Sequence, residues 1–341
     1  MYALCQIIPG PTSTQTLTAV GYRIGGAKLA YLTLLVWCIP AVSMMTAFAL
    51  IMSSFQERDI SLSFTKFIQP MAVGFVAYGA YTISRKVVNT KMGYALMSIS
   101  AMICYFIRTP YIFPVLLILS GVITARNFRK QAVEEKEKFV IHWGNFMLWA
   151  GVFISAAILG GITRDLPIRL FENFYRNGSL IFGGGQVLIP LLYTEFVEFK
   201  RYLTSQEFLS GYAMVQAVPG PVFSFSAYMG ALSMREYGYA GKIIGALCAA
   251  AGIFLPGTFL IFFVIRFWES LKKYRVVKAS LEGIIAASSG MVIAAAVLLF
   301  EPLETNVFNV SFMVGTACLL RYTRIPPPLI ILGGLIAGLV L

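Results

Sequence analysis

The chain has 341 residues, 58% of them hydrophobic and 12% charged, with a mean hydropathy of +0.77. Soluble domains carry about 25% charged residues, so a water-soluble globular protein is excluded. The formal charge of +12 comes from basic residues scattered singly between apolar runs. That pattern fits the cytoplasmic loops of a polytopic membrane protein, not a nucleic-acid footprint.

A crossing needs about 20 mostly apolar residues, and charge-free windows mark the candidates. In chain order they cover residues 1–22, 29–56, 67–84, 92–107, 109–125 and 139–163, then 177–194, 208–234, 243–265, 283–300, 305–320 and 325–341. The shorter ones predict short or tilted helices meeting at tight turns such as Arg108-Thr109-Pro110. Three windows are interrupted by Pro9-Gly10-Pro11, Gly183-Gly184-Gly185 and Pro219-Gly220-Pro221. Proline removes a helical hydrogen bond and glycine costs backbone entropy, so broken or re-entrant helices are predicted there. Residues 126–138 form a charged cytoplasmic linker, and 139–163 a central transmembrane helix.

The segments on either side are copies of one another. Tyr2-Ala-Leu-Cys-Gln-Ile-Ile-Pro-Gly-Pro11 matches Tyr212-Ala-Met-Val-Gln-Ala-Val-Pro-Gly-Pro221. Further on, at one constant and slightly longer spacing, Pro40 matches Pro256, Gly74 matches Gly290, Arg108 matches Arg324 and Pro110 matches Pro326. The repeats therefore occupy 1–125 and 164–341. Charge orients them. The loop after the Pro40 helix holds Gln56-Glu57-Arg58-Asp59, whereas the loop after the Pro256 helix holds Arg266, Lys272, Lys273, Arg275 and Lys278. One helix later the bias reverses, with Arg85, Lys86 and Lys91 against Glu301 and Glu304. If Lys and Arg favour the cytoplasm, equivalent loops face opposite sides. The expected fold is an all-α polytopic membrane protein of two inverted-topology repeats, an architecture typical of secondary transporters.

The breaks are candidate anion cradles. Gly183, Gly184 and Gly185 present backbone N–H groups, and a helix opening at about Gln186 points its positive dipole end at them. Pro221 can open a helix after Gln216, Pro219 and Gly220, and Ser224 and Ser226 can add hydroxyls. Copy one supplies Gln6, Pro9, Gly10 and Pro11 in the same roles, followed by the more polar run Thr12-Ser13-Thr14-Gln15, of which Thr12 and Ser13 are the candidates. Helix kinks and close helix contacts are the competing explanation. Glu195 and Glu198, followed by Lys200 and Arg201, read either as coupling or gating carboxylates or as an ion-paired helix end. Arg108 and Arg324 read as snorkelling anchors.

Other chemistries find little material. Cys5, Cys38, Cys104, Cys248 and Cys318 lie in apolar stretches with no CxxC, and His142 is the single histidine. Asp59 and Asp165 are the only aspartates, which leaves no intramembrane aspartyl dyad. No nucleotide or metal motif exists, so no cofactor is expected, nor an enzyme.

The run Phe182-Gly-Gly-Gly-Gln-Val-Leu-Ile-Pro-Leu-Leu-Tyr-Thr-Glu-Phe-Val-Glu198, then Tyr202-Leu-Thr-Ser-Gln-Glu-Phe-Leu-Ser-Gly-Tyr212, Gln216-Ala-Val-Pro-Gly-Pro221 and Gly230, resembles the second domain of the chromate ion transporter family. Residues 1–125 resemble its first domain from the PGP onward, with nothing matching residues 171–211, which implies an N-terminally incomplete first repeat. The resemblance implies export of chromate across the plasma membrane, with sulfate as a related oxyanion. The partners expected are that anion and the lipid bilayer, with a homodimer left open and no nucleic acid. The rival reading is a non-transporting remnant, or a subunit needing a partner.

Overall fold

The computed structural model describes residues 8–58, 63–126, 143–182, 185–265 and 274–340. Every regular element among them is helical. The long helices are α1 (Thr12–Glu57), α2 (Ile68–Val87), α3 (Lys91–Phe106), α4 (Ile112–Ala125), α5 (Gly144–Thr163) and α6 (Leu166–Leu180). They continue as α7 (Gly185–Tyr193), α8 (Ser205–Ala217), α9 (Phe225–Ser233), α10 (Gly238–Val264), α11 (Arg275–Phe300), α12 (Val307–Tyr322) and α13 (Pro327–Val340). An all-helical chain is what lipid demands, because a helix satisfies its own backbone hydrogen bonds. Helices α1, α5, α10 and α11 are long and apolar enough to cross a bilayer.

Polar contacts sort the helix ends into two sets. Lys242 pairs with Glu57 at 2.5 Å, Gln56 donates to Glu207 at 2.9 Å, Arg235 pairs with Glu207, and Arg108 pairs with Glu301 at 2.8 Å. These contacts gather the end of α1, the start of α8, the start of α10, the end of α3 and the end of α11. At the opposite end Thr90 donates to Glu282 at 2.6 Å, Arg321 bonds Tyr81, and Trp143 packs on Phe263. Among the described residues the first end collects Glu57, Asp165, Glu172, Glu195, Glu198, Glu207, Glu236, Glu301 and Glu304; the second holds Glu282. We refer to the acidic end and the basic end accordingly.

Residues 166–233 enter from the acidic end twice. α6 runs inward to Leu180, the chain breaks, and α7 returns to the acidic end through a π-helical turn, Thr194–Phe199. α8 runs inward behind a capping box of Thr204 and Glu207, breaks at Val218–Pro221, and α9 returns. This corrects the sequence expectation for residues 177–194: α6 begins eleven residues earlier, at Leu166, and carries Arg169, Glu172 and Arg176 along its length. The α8–α9 hairpin is the most enclosed part of the molecule, with Phe208, Tyr212, Phe225 and Tyr228 all inaccessible.

Repeat-related positions share local structure. α3 and α12 both have sixteen residues and both are capped by a side chain, Thr90 accepting from the Gly93 amide and Asn306 from the Asn309 amide. Pro40 and Pro256 both lie inside helices. Contacts are also exchanged between the copies. A Cβ on Gly74 would meet the Met313 carbonyl, and a Cβ on Gly290 would meet the carbonyl of Met97, the counterpart of Met313. The two close approaches therefore involve exchanged sequence positions.

Candidate functional site: two helix starts at mid-depth

The two Pro-Gly-Pro breaks adopt the same backbone. Gly10 has φ +124° and Gly220 φ +138°, values that L side chains rarely adopt. Each break rests on the proline-bearing helix of the other copy: Gly10 lies against Gly257, next to Pro256, and Gly220 against Ala41, next to Pro40. At 1.5 Å per residue, Ala41 is roughly 20 Å from Gly26, where α1 kinks, and about as far from Glu57. The Pro219-Gly220-Pro221 break therefore lies near the middle of the molecule's depth. The third break joins them, since the Gly10 amide donates to Ile181 O at 2.8 Å and Gly185 lies beside Val222 and Phe223.

From each break helical backbone departs, α1 at Thr12 and, after the turn Val222–Ser224, α9 at Phe225. Thr14 is 2% exposed, and Ser224 and Ser226 are inaccessible. The hydroxyls of all three lack a hydrogen-bond partner among the described residues. Thr14 and Ser224 occupy equivalent positions in the two Pro-Gly-Pro repeats. The Gln15 amide nitrogen braces its own break by donating to Pro9 O at 2.7 Å, while its buried Oε1 has no partner among the described residues. Buried hydroxyls are normally satisfied, so the equivalent orphaned hydroxyls at the two helix starts are candidate donors for an acceptor-rich ligand.

Of the expected site residues the structure describes Pro9, Gly10, Pro11, Gly185, Pro219, Gly220, Pro221 and Ser224, with Gly185 beside Val222 and Phe223. Thr12 is half-buried and Ser13 exposed; Thr14 and Gln15 face inward instead. Gln216 ends α8 with its amide beside the buried Tyr212 hydroxyl. Gln6, Gly183 and Gly184 lie outside the described residues, as do Cys5, Asp59, His142 and the linker beyond Arg126. α7 opens at Gly185.

The carboxylates stand toward the acidic end. Glu195 is inaccessible and accepts from Arg176 at 2.5 Å, Lys200 at 2.6 Å and Asn177 at 2.7 Å. Glu198 pairs with Arg108 at 3.3 Å. Arg108 is thus a bridge from α3 to Glu198 and Glu301, which corrects its reading as a snorkelling anchor. Sequence reasoning placed Thr14 and Gln15 in the polar run after Pro11 without selecting them as donors, and it missed Arg176 and Asn177. Thr14 could have been found as the repeat counterpart of Ser224.

The model of a family described as chromate transporter matches residues 1–125 and 168–339. The chain belongs to the chromate transporter family. It is 25% identical to an uncharacterized transporter of Methanocaldococcus jannaschii, over 98% of this chain and 82% of that protein. It is 24% identical to a chromate transport protein of Cupriavidus metallidurans, over 99% of this chain and 81% of that protein. A probable chromate transport protein of Synechococcus elongatus is 24% identical over 99% of this chain and 83% of its own length. No solved structure gives a significant match. Family and fold agree on a multi-pass helical transporter of the plasma membrane.

Proposed function

We propose that this transporter exports a small divalent oxyanion, chromate, with sulfate as a related substrate, and binds it between the starts of α1 and α9. The orphaned hydroxyls of Thr14 and Ser224 carry this reading. A tetrahedral oxyanion accepts many hydrogen bonds, and two helix starts offer backbone amides, hydroxyls and positive dipole ends without a fixed cation. Binding by many moderate donors also permits release, which a carrier needs. The repeats are inverted, related by an axis in the membrane plane, with the acidic end outside and the basic end in the cytoplasm.

The test is chromate accumulation in cells making the protein, with and without excess sulfate. Lower accumulation than in control cells, altered by sulfate, is expected. Equal accumulation with the protein present in the membrane overturns the reading. Replacing Gly184 with Leu is expected to abolish flux while leaving the protein inserted; unchanged flux would remove the glycine run from the cradle.

A further inference from the structure

The acidic end contains a cavity of about 570 Å3 between the end of α5, the first turns of α6 and the π-helical turn after α7. Its lining carries four cations, Arg164, Arg169, Arg176 and Lys200, against two carboxylates, Glu172 and Glu195. The walls thus hold a surplus of two positive charges. Arg164 and Arg169 make no salt bridge among the described residues. Asn173, also in the lining, is only 3% exposed. Its Oδ1 accepts from Arg176 at 3.3 Å, but its Nδ2 has no partner among the described residues. A buried amide donor left unpaired beside unpaired guanidinium groups calls for an acceptor.

We propose that this cavity is a second oxyanion site, a vestibule separate from the helix starts, in which the Glu195 carboxylate holds the place of the anion. Glu195 already engages the donor set an oxyanion would take: a guanidinium, an ammonium and a carboxamide. An incoming dianion held by Arg164, Arg169 and the Asn173 amide competes with Glu195 for Arg176 and Lys200. The surplus of two charges matches a divalent ligand. Arg176 precedes Ile181 by five residues, roughly 8 Å along the helix, and Ile181 O holds the Gly10 amide. Exchange at Glu195 therefore occurs within one and a half turns of the first break. The identity of the ligand rests on the oxyanion-carrier reading, while the location of the site does not.

The experiment is equilibrium binding of radiolabelled sulfate to the full chain in nanodiscs of zwitterionic lipid. Two sulfates per chain are expected. Thr14→Ala with Ser224→Ala should remove one. Arg169→Gln should weaken the other at least tenfold, and Glu195→Gln should tighten it at least tenfold by removing the internal competitor. If Glu195→Gln does not fold, Arg169→Gln decides, because Arg169 supports no salt bridge. A single sulfate abolished by Thr14→Ala with Ser224→Ala, or affinity unchanged in Arg169→Gln, overturns the vestibule. Binding that survives the hydroxyl variants but fails in Arg169→Gln sustains the vestibule and removes the helix-start cradle instead. Absence of sulfate binding, with phosphatidylglycerol headgroups cross-linking to Arg169 in anionic nanodiscs, reassigns the cavity to lipid and also overturns it.

Discussion

At the scale of single residues, the buried hydroxyls separate folding from function. A hydroxyl without a partner has lost its water and gained nothing in return, a penalty of about 1–3 kcal/mol. Ser224→Ala and Thr14→Val are therefore expected to leave thermal stability in detergent unchanged or raised, while chromate flux falls at least tenfold. Hydroxyls with only a packing role would leave flux intact, and that result would empty the cradle of its donors. The glycines behave oppositely. A Cβ on Gly220 would meet the Ala41 Cβ at 2.6 Å, on a backbone with φ +138°. Gly220→Ala should cost roughly 1–3 kcal/mol and lower the Tm. At Gly151, where a Cβ meets nothing within 4 Å, the same change should be neutral or stabilising through helix propensity.

The clustered Pro-Gly-Pro breaks were legible before the fold was known, because two prolines flanking a glycine remove successive helical hydrogen bonds; isolated prolines such as Pro40 and Pro256 stay inside helices. The breaks at Pro9-Gly10-Pro11 and Pro219-Gly220-Pro221 lie where the sequence put them. α6 was not legible as a helix start, since a charge-free rule discards any segment containing Arg169, Glu172 and Arg176. Arg176 closes on Glu172 and, across the hairpin, on Glu195, a pairing no local pattern encodes, while Arg169 is exposed. Helical phase was equally hidden, so Ser13 rather than Thr14 looked like the donor until the start of α1 fixed which face is inward. Small residues at crossings illustrate the gain from structure. Gly74 and Gly290 each admit a backbone carbonyl of the other copy, the close approach that membrane helices use to associate. Gly74→Leu and Gly290→Leu should each reduce folded yield and Tm, by an overpacking penalty of roughly 1–3 kcal/mol or more. Gly315→Leu, with open space around its Cβ direction, should not. Equal stability of all three would contradict the exchanged contacts.

For the whole molecule, the decisive quantity is the sidedness of its charge. Arg23, Lys28, Arg85, Lys91, Arg126, Arg275, Lys278, Arg321 and Arg324 fall at the basic end, where Glu282 is the one acid among the described residues. At the acidic end Arg58, Lys66, Arg108, Arg164, Arg169, Arg176, Lys200, Arg201, Arg235 and Lys242 are interleaved with carboxylates, and Arg108, Arg176, Lys200, Arg235 and Lys242 are tied to them by salt bridges. Loops rich in Lys and Arg resist translocation and stay in the cytoplasm. Lys91 opens α3 at the basic end, and Glu304 lies just before α12 at the acidic end, although the two occupy neighbouring places in their repeats. Epitope tags at Lys91 and at Glu304 should therefore be reached from opposite faces of intact cells, Lys91 from the cytoplasm and Glu304 from outside. Labelling from one face would mean that the repeats run the same way through the bilayer, and two helix starts could not then approach one anion from opposite sides. Opposite labelling with Glu304 inside would keep the inversion and reverse the orientation, placing the arginine-lined cavity at the entrance for cytoplasmic anion instead of the exit.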